Sequence, residues 1–270
     1  MKIKNYINQK MKGLALFIGM GLSSAVAFGQ MSGSYTIDAT AAASATNFQT
    51  WLAFNNAWNA ANITGAVTVT VKSSLNIGAV PVTLNANGGS SSTNTLTIDG
   101  GSTRMTYTGT NAAFRLNGAD YVLVKNMVIE NTNISSPGGV TLTNQADYNE
   151  FNAVDVFLNG YTGTSSSTFY YAISASTTTA MSNGSAATGT TGQPGSFNKI
   201  RYCKMYTQAG GTGPYTAVGL NGNTVNYTTT AQNNTMEGCT ISNFYYYAVF
   251  MQYPNGNEVL NNDISRSNTT

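Results

Sequence analysis

Carboxylates are the only plausible acid–base groups in the chain, because its 270 residues include no histidine. The lack of histidine excludes a Ser-His-Asp triad and zinc sites with imidazole ligands. Asp120 and Asp147 precede matching segments of a repeat described below, so we expect them to lie close together. Two neighbouring carboxylates suit a Ca²⁺ site or an acid/base pair. The alternative, which we favour, is that each aspartate caps backbone amides in a turn.

Tyrosines near four polar insertions form a second candidate site. The insertions are rich in Ser, Thr, Gly and Asn, and they span residues 161–168, 177–196, 207–216 and 223–232. Exposed tyrosine rings beside amide and hydroxyl groups suit a sugar, since they offer an apolar face and directed hydrogen bonds. The alternative is that half of these rings lie inside the fold or cover strand edges. The ligand-binding candidates are Tyr161, Tyr170, Tyr206, Tyr215, Tyr227 and Tyr245.

The two cysteines, Cys203 and Cys239, occupy the same position in consecutive rows of the repeat. If those rows are neighbours, the two side chains are stacked close together. A disulfide and a pair of buried thiols are both open, and the awkward geometry of in-register parallel neighbours favours the thiols. Neither arrangement indicates redox catalysis, because the chain has no Cys-x-x-Cys unit.

A repeat of eight-residue segments positions all these side chains. We call each segment a row and number its positions as columns 1 to 8; the rows begin at residues 122, 149, 198, 234 and 257. Column 3 is apolar in every row, as is column 8, with polar residues and a turn expected between them. The column 3 residues are Val124, Phe151, Ile200, Met236 and Val259, and the column 8 residues are Ile129, Val156, Met205, Ile241 and Ile264.

A second apolar segment precedes each row, at residues 114–116, 140–142, 171–173, 217–220 and 249–251. The shortest step between rows, about 23 residues, lies in the range of solenoid repeats, whereas leucine-rich and helical repeats need spacings that are absent here. The pattern therefore predicts a parallel β-helix. In such a fold equivalent strands stack about 4.8 Å apart, and like residues form ladders inside a dry core.

Residues 96–133 (LTIDGGSTRMTYTGTNAAFRLNGADYVLVKNMVIENTN) resemble the opening coils of right-handed β-helix, pectate-lyase-like secreted proteins. The resemblance is strongest to the N-terminal regions of large extracellular proteins of Bacteroidetes-type bacteria. It implies an all-β, right-handed, single-stranded parallel β-helix. A likeness to pectate lyases also implies calcium-binding acids beside a proton-abstracting basic residue. No catalytic motif of that family matches residue by residue, so enzymatic activity is not supported.

The chain divides into three predicted parts. Residues 1–29 form a signal peptide, with Lys2, Lys4, Lys10 and Lys12 before an apolar run; a membrane anchor is the alternative. Removing these four of the twelve basic residues leaves eight against ten acidic residues. Residues 30–66 form an N-terminal cap. Residues 67–270 form the coils, which we expect to be incomplete at the C-terminus.

The cap contains a predicted helix at residues 46–61. Its helical spacing is set by Phe48, Trp51, Leu52 and Asn55, with Thr46 or Asn47 as the N-cap. Residues 63–71 follow as the first strand. We expect Trp51 and Trp58 to be core residues.

The predicted function is that of a secreted or cell-surface scaffold or adhesin segment that displays polar loops to an extracellular polysaccharide or a surface protein. One alternative is a polysaccharide lyase or glycoside hydrolase with catalytic residues partly outside this chain, and another is a purely structural stalk. An enzyme requires carboxylates near Arg or Lys on one exposed strand face, a binding module requires a tyrosine-lined groove, and a stalk has neither. Ca²⁺ is the one cofactor left open. A charged fraction of 8% argues against nucleic acid, and no later stretch is long enough to span a membrane.

Overall fold

The computed structural model describes residues 29–174, 194–221, 231–252 and 254–266. In this part of the chain one helix and 21 strands are present. As far as the helix, the elements are β1 (Gln30–Ile37), β2 (Asn47–Phe48) and α1 (Trp51–Ala60). They continue with β3 (Asn62–Val71), β4 (Leu75–Gly78), β5 (Val82–Asn85), β6 (Leu96–Tyr107), β7 (Asn111–Asn117), β8 (Val122–Asn131), β9 (Pro137–Thr143) and β10 (Glu150–Leu158). The remaining strands are β11 (Phe169–Ser174), β12 (Lys199–Arg201), β13 (Lys204–Thr207), β14 (Thr216–Asn221), β15 (Ala231–Gln232), β16 (Thr235–Glu237), β17 (Thr240–Ser242), β18 (Tyr247–Gln252), β19 (Pro254–Asn255), β20 (Glu258–Leu260) and β21 (Asp263–Ser265).

The strands form two large parallel sheets and one short pair. A 13-stranded sheet has the order β2-β1-β3-β6-β8-β10-β12-β16-β20, with β13, β17 and β21 continuing the rows of the later strands and β4 beside β6. A six-stranded sheet has the order β18-β14-β11-β9-β7-β5, and β15 pairs with β19. Between β5 and β11 the chain alternates between the two large sheets, advancing one strand in each. The prediction of an all-β fold with parallel strands and one short N-terminal helix is confirmed.

The strand register matches the predicted columns. In column 3, Phe151 pairs with Val124 on one side and with Ile200 on the other, and the series continues through Met236 to Val259. In column 8 the corresponding series runs from Ile129 to Ile264. The second apolar segments pair in the same way in the six-stranded sheet, from β7 to β18. Inward-facing side chains of these columns form one hydrophobic cluster, in which each buried Val, Ile or Phe contributes roughly 1.5–3 kcal/mol.

A turn separates columns 3 and 8 in each row. The column 5 residue has a left-handed backbone in all five rows, with φ between 52° and 63°. The residues are Asn126, Ala153, Tyr202, Gly238 and Asn261. Left-handed positions favour Gly and Asn, which hold three of the five places. The turn that the sequence predicts between the two columns is therefore present.

Column 1 contains a ladder of asparagine side chains. Asn198 is buried, and its Oδ1 accepts hydrogen bonds from the backbone amide and the Nδ2 of Asn149, at 2.9 and 3.1 Å. Asn198 Nδ2 in turn donates to Asn234 Oδ1 and to the Ala146 carbonyl. Asn234 repeats the pattern with Asn257. Each rung therefore joins two rows through side chains as well as through the strands.

The N-terminal part differs from the sequence prediction in two respects. The helix begins at Trp51 rather than near residue 46, and its N-cap is Thr50, whose hydroxyl accepts the Ala53 amide at 3.1 Å. The segment before it is extended because Asn47 and Phe48 pair with β1. The strand β3 is not the first strand, since β1 precedes it and pairs with it in parallel.

The helix covers the edge of the six-stranded sheet. Asn55 Oδ1 accepts the Thr83 amide at 2.7 Å, and Asn59 accepts the Asn85 amide and donates to the Thr83 carbonyl. Side chains of α1 therefore replace a neighbouring strand for β5, which protects an otherwise open edge. Trp51 and Trp58 are buried as predicted, and the indole of Trp58 donates to the Asn85 carbonyl.

The predicted signal peptide lies outside the described residues, apart from Gly29. No helix within the described ranges has the length and the apolar character needed to cross a bilayer.

Candidate functional site

Two of the predicted ligand-binding tyrosines do not face solvent. Tyr161 and Tyr170 are fully buried, so the expectation that their rings are exposed to a ligand is wrong. The Tyr161 hydroxyl accepts the Ser165 amide within its own loop. The Tyr170 hydroxyl donates to the carbonyls of Ser242 and Asn243, and burial raises its pKa beyond any physiological range. Both residues stabilise loops from the inside.

The other predicted tyrosines lie in different places. Tyr206 is on the outer face of the 13-stranded sheet, where its ring stacks on Phe157 at 4.8 Å. Tyr215 and Tyr245 are brought together, with ring centroids 6.1 Å apart, and Tyr215 also stacks on Tyr246 at 5.1 Å. Tyr227 lies outside the described residues.

Asp120 and Asp147 act as amide caps. Asp120 Oδ1 accepts the Asp147 amide at 2.8 Å, and Asp147 Oδ1 accepts the Ser196 amide at 2.7 Å. Burial raises the pKa of both carboxyls, although the accepted hydrogen bond acts in the opposite direction. In the described ranges no group of three His, Cys, Asp or Glu residues is close enough to hold a metal ion. The geometry agrees with the amide-capping alternative.

Cys203 and Cys239 are buried free thiols in adjacent rows. The amide of Thr240 donates to the Cys203 carbonyl at 3.0 Å, which fixes the two rows next to each other at this point. Burial raises the pKa of the Cys203 thiol well above its ordinary value. Cys203 is therefore a packing residue rather than a nucleophile.

A row of three stacked aromatic rings, which the sequence analysis did not identify, lies on the surface beside column 1. The ring centroid of Tyr148 is 5.0 Å from that of Tyr121 and 4.8 Å from that of Phe197, and in each pair the ring planes are within 3° of parallel. Each of the three residues immediately precedes column 1 of its row, so the ring spacing equals the spacing of parallel strands. Tyr148 is 48% exposed and Phe197 is 39% exposed. We call these three residues the aromatic row.

The backbone of the aromatic row is strained. Tyr121, Tyr148 and Phe197 have φ of 56°, 57° and 58°, in the left-handed region. The same position in the next two rows is Asn233 and Gly256, the residue types that tolerate this conformation. A left-handed conformation costs a bulky residue roughly 1–2 kcal/mol. Stacking between neighbouring rings contributes about 0.5–1.5 kcal/mol per pair, which offsets most of this cost.

A cavity of about 380 Å³ adjoins the aromatic row. Its lining is formed by the three rings, by Asn149 and Asn233, and by the charged pair Glu150 and Lys199. Glu150 and Lys199 are directly opposite each other on β10 and β12, so their side chains leave the sheet on the same face. Lys199 is exposed and makes no salt bridge within the described ranges. The volume lies within the range of small-ligand sites, and the lining combines apolar rings with a few polar groups.

The outer face of the 13-stranded sheet carries two groups of ion pairs, of which one includes the cavity residue Glu150. Arg201 contacts Glu150 at 3.9 Å and Glu237 at 3.3 Å, and Arg104 contacts Glu130 at 3.1 Å. Burial alone would raise the pKa of Glu130, but hydrogen bonds from Arg104, Asn159 and Thr106 outweigh it and lower that pKa. Glu130 is therefore an anion at neutral pH rather than a proton donor. The contacts of Arg201 with Glu150 and Glu237 place two carboxylates beside an arginine on the outer face of the sheet, which is one feature that the enzyme alternative requires.

The sequence contains a pattern from which the aromatic row could have been predicted. The position before column 1 is aromatic in rows 1 to 3 and Asn or Gly in rows 4 and 5. The sequence analysis instead took candidates from the insertions, where tyrosines are numerous but where two of the described ones point inward.

The chain matches no family model, no curated protein and no solved structure in these three comparisons.

Proposed function

We propose that the chain is a scaffold segment of a secreted or cell-surface protein and that it binds a glycan at the aromatic row. The proposed scaffold is a right-handed parallel β-helix. Three observations support it: parallel strands in register, alternation of the chain between two sheets, and a single apolar cluster that continues from row to row. The proposed handedness rests on the usual rule for parallel crossovers and on the resemblance of residues 96–133.

The observation that carries the glycan proposal is the strained aromatic row beside the 380 Å³ cavity. Sugar rings pair an apolar face with many hydroxyls, so a site for them needs an aromatic surface with polar groups at its side. Phe197 ends the row, and among the described residues only Tyr148 stacks on it. Its outer face is therefore the ring surface on which a sugar packs. Lys199, Glu150 and Asn233 then hydrogen-bond the hydroxyls.

Affinity electrophoresis of the purified protein tests this proposal. We expect retardation in gels that contain one or more of xylan, pectin, β-glucan and α-mannan. Replacement Phe197→Ala removes the terminal ring, and the loss of about 1 kcal/mol of stacking should weaken binding about fivefold. Lys199→Ala should weaken binding by removing a hydrogen-bond donor from the same cavity.

Tyr202→Ala is the matched control. Tyr202 is also exposed and also left-handed, with φ of 54°, but it does not line the cavity. Retardation should therefore be the same as in the unmodified protein. Binding that Phe197→Ala leaves unchanged would contradict the proposed site. If no polysaccharide retards the protein, the alternative function of a purely structural stalk without a ligand would be favoured.

A second candidate function, polysaccharide cleavage, is favoured by one observation: Glu150 and Glu237 lie beside Arg201 on the exposed strand face. Cleavage would release reducing ends or unsaturated products from the bound polysaccharide. If activity is found, Glu150→Gln should abolish it and Asp120→Asn should not, since Asp120 is committed to the Asp147 amide. Loss of activity with Asp120→Asn instead would place the chemistry at the turn aspartates.

A further inference from the structure

A second cavity, separate from the aromatic row, lies between α1 and the strands β4 and β5. Its volume is about 220 Å³. An engineered apolar cavity of about 150 Å³ binds benzene, so this one has room for a somewhat larger molecule. Most of its lining is aliphatic and consists of Leu52, Leu75, Ile77, Val80, Pro81 and Val82.

The walls of this cavity are held in place by the fold. On the helical side, the Thr50 hydroxyl caps α1, and Asn55 Oδ1 accepts the Thr83 amide of β5 at 2.7 Å. On the strand side, β4 pairs with β6 and β5 pairs with β7. The space is therefore preformed, and a ligand binds in it without the cost of ordering the walls.

Two of the lining side chains are large and exposed. Leu52 is 51% exposed and Val80 is 56% exposed, whereas Val82 and Trp51 are buried. Leu52 and Val80 therefore lie where the cavity meets solvent. A molecule with an apolar body removes their surface from water when it binds, and this burial favours binding.

The polar groups of the lining offer donors and no charge. No charged residue of the described ranges lines the cavity. Asn55 Oδ1 accepts the Thr83 amide, and Asn76 Oδ1 accepts the Gly78 amide at 2.8 Å. The Nδ2 group of each asparagine has no hydrogen-bond partner in the described part of the chain. A carbonyl oxygen complements such donors, whereas an ionised group would find no opposite charge.

We propose that this cavity binds a small uncharged molecule with an apolar body and a carbonyl group. The body packs against the aliphatic side chains and Trp51, and the carbonyl oxygen accepts a hydrogen bond from Asn55 or Asn76. Among the described residues, none lines both this cavity and the one beside the aromatic row, so the two sites are independent.

Titration of the ¹⁵N-labelled protein with acetophenone, followed by NMR, tests the proposal. Acetophenone combines an aromatic ring with one carbonyl. The chain has two tryptophans, of which Trp51 lines the cavity and Trp58 does not, and Trp58→Phe assigns their indole N–H signals. We expect the Trp51 signal to shift and saturate with a Kd of about 1 mM or lower, and the Trp58 signal to move less.

Two variants and a second probe define the site. Val80→Asp places a carboxylate beside the ligand and should weaken acetophenone binding at least about fivefold. Ile134→Asp is the matched control, because Ile134 is 70% exposed but does not line the cavity, so the Kd should not change. Benzoate has nearly the shape of acetophenone but carries a negative charge, so it should bind at least about tenfold more weakly.

Four outcomes would overturn the proposal. A Trp51 signal that stays constant throughout the titration would show that the cavity takes no such ligand. An unchanged Kd in Val80→Asp would place the binding elsewhere, and equal affinity for benzoate would contradict an uncharged ligand. A dimer of the unmodified protein, seen by light scattering and dissociated by Val80→Asp, would assign the exposed side chains of Leu52 and Val80 to a second copy.

Discussion

At the scale of single residues, the left-handed backbone of the aromatic row allows the contribution of a ring to stability to be tested separately from its contribution to binding. Phe197 has φ of 58°, and Asn233 occupies the same position of the next row with φ of 53°. Asparagine is therefore known to fit this turn. The ring of Phe197 costs more backbone strain at this position than asparagine does, and its stacking on Tyr148 offsets a similar amount.

This strain predicts different effects for two substitutions that both remove the ring. Phe197→Asn loses about 1 kcal/mol of stacking and regains a similar amount of backbone strain, so the free energy of unfolding should change by less than about 1 kcal/mol. Phe197→Val keeps the strain, since β-branched residues are disfavoured at positive φ, and should be less stable than Phe197→Asn by about 1–2 kcal/mol. Urea denaturation of the two variants measures the difference. Equal stabilities would show that residue 197 is not left-handed in solution.

The residue scale is also where sequence reasoning was least effective. Tyr170 is buried together with its neighbours Phe169 and Tyr171, although alternation in a strand predicts that adjacent side chains point to opposite faces. On the neighbouring strand Gly138 leaves space for the ring of Phe169, and Gly139 allows the backbone of Tyr170 to approach closely, since a Cβ at either glycine would clash there. This fit depends on which strands are neighbours, so the tyrosine pattern alone does not reveal it.

At the scale of elements, the asparagine ladder joins the rows more specifically than apolar packing does. Asn149, Asn198 and Asn234 are buried, and their amides bond the backbone and side chain of the adjacent row. Because each rung needs an asparagine in one register only, a slip of one residue would leave these groups unpaired.

Asn198→Ala should therefore lower the free energy of unfolding by about 3 kcal/mol. The change leaves the Asn149 backbone amide without an acceptor, removes one of the two acceptors of Asn149 Nδ2, and removes both bonds donated by Asn198 Nδ2. Asn257→Ala is the comparison variant: it removes only the two bonds that Asn257 Oδ1 accepts from Asn234, at a less buried position, so the cost should be smaller, about 1–2 kcal/mol. Chemical denaturation gives both values. A cost for Asn198→Ala no larger than that for Asn257→Ala would mean that the bonds donated by Asn198 Nδ2 do not stabilise the rows.

The elements show which sequence signals were sufficient. Columns 3 and 8 predicted both strands of each row, because five repeats of the same two apolar positions outweigh local propensity. The strand β1 was missed, although it buries Met31, Tyr35 and Ile37, because its sequence matches none of the five rows and its partner β3 follows only after the helix. The helix start was misplaced for a related reason: Asn47 and Phe48 fit a helical spacing but pair with β1 instead.

At the scale of the whole molecule, the column 3 side chains form a single file, one from each row, that links rows far apart in sequence. Phe151, Ile200 and Met236 are buried in one hydrophobic cluster, and Val259 packs against that cluster only partly. The file was predicted from the sequence. The decline in burial at its end was not, because the exposure of Val259 depends on what covers the last row.

The loss of stability caused by a buried carboxylate in column 3 should therefore depend on the row in which it is placed. Ile200→Asp puts an unpaired carboxylate among buried side chains on both sides and should cost about 4 kcal/mol or more. Val259→Asp makes the same kind of change where water reaches the site, so it should cost about 1 kcal/mol and affect mainly residues 254–266. Thermal unfolding gives the first effect, and deuterium exchange resolved by segment gives the second. If Val259→Asp were as damaging as Ile200→Asp, the last row would be buried in solution, and something other than solvent would cover it in the isolated protein.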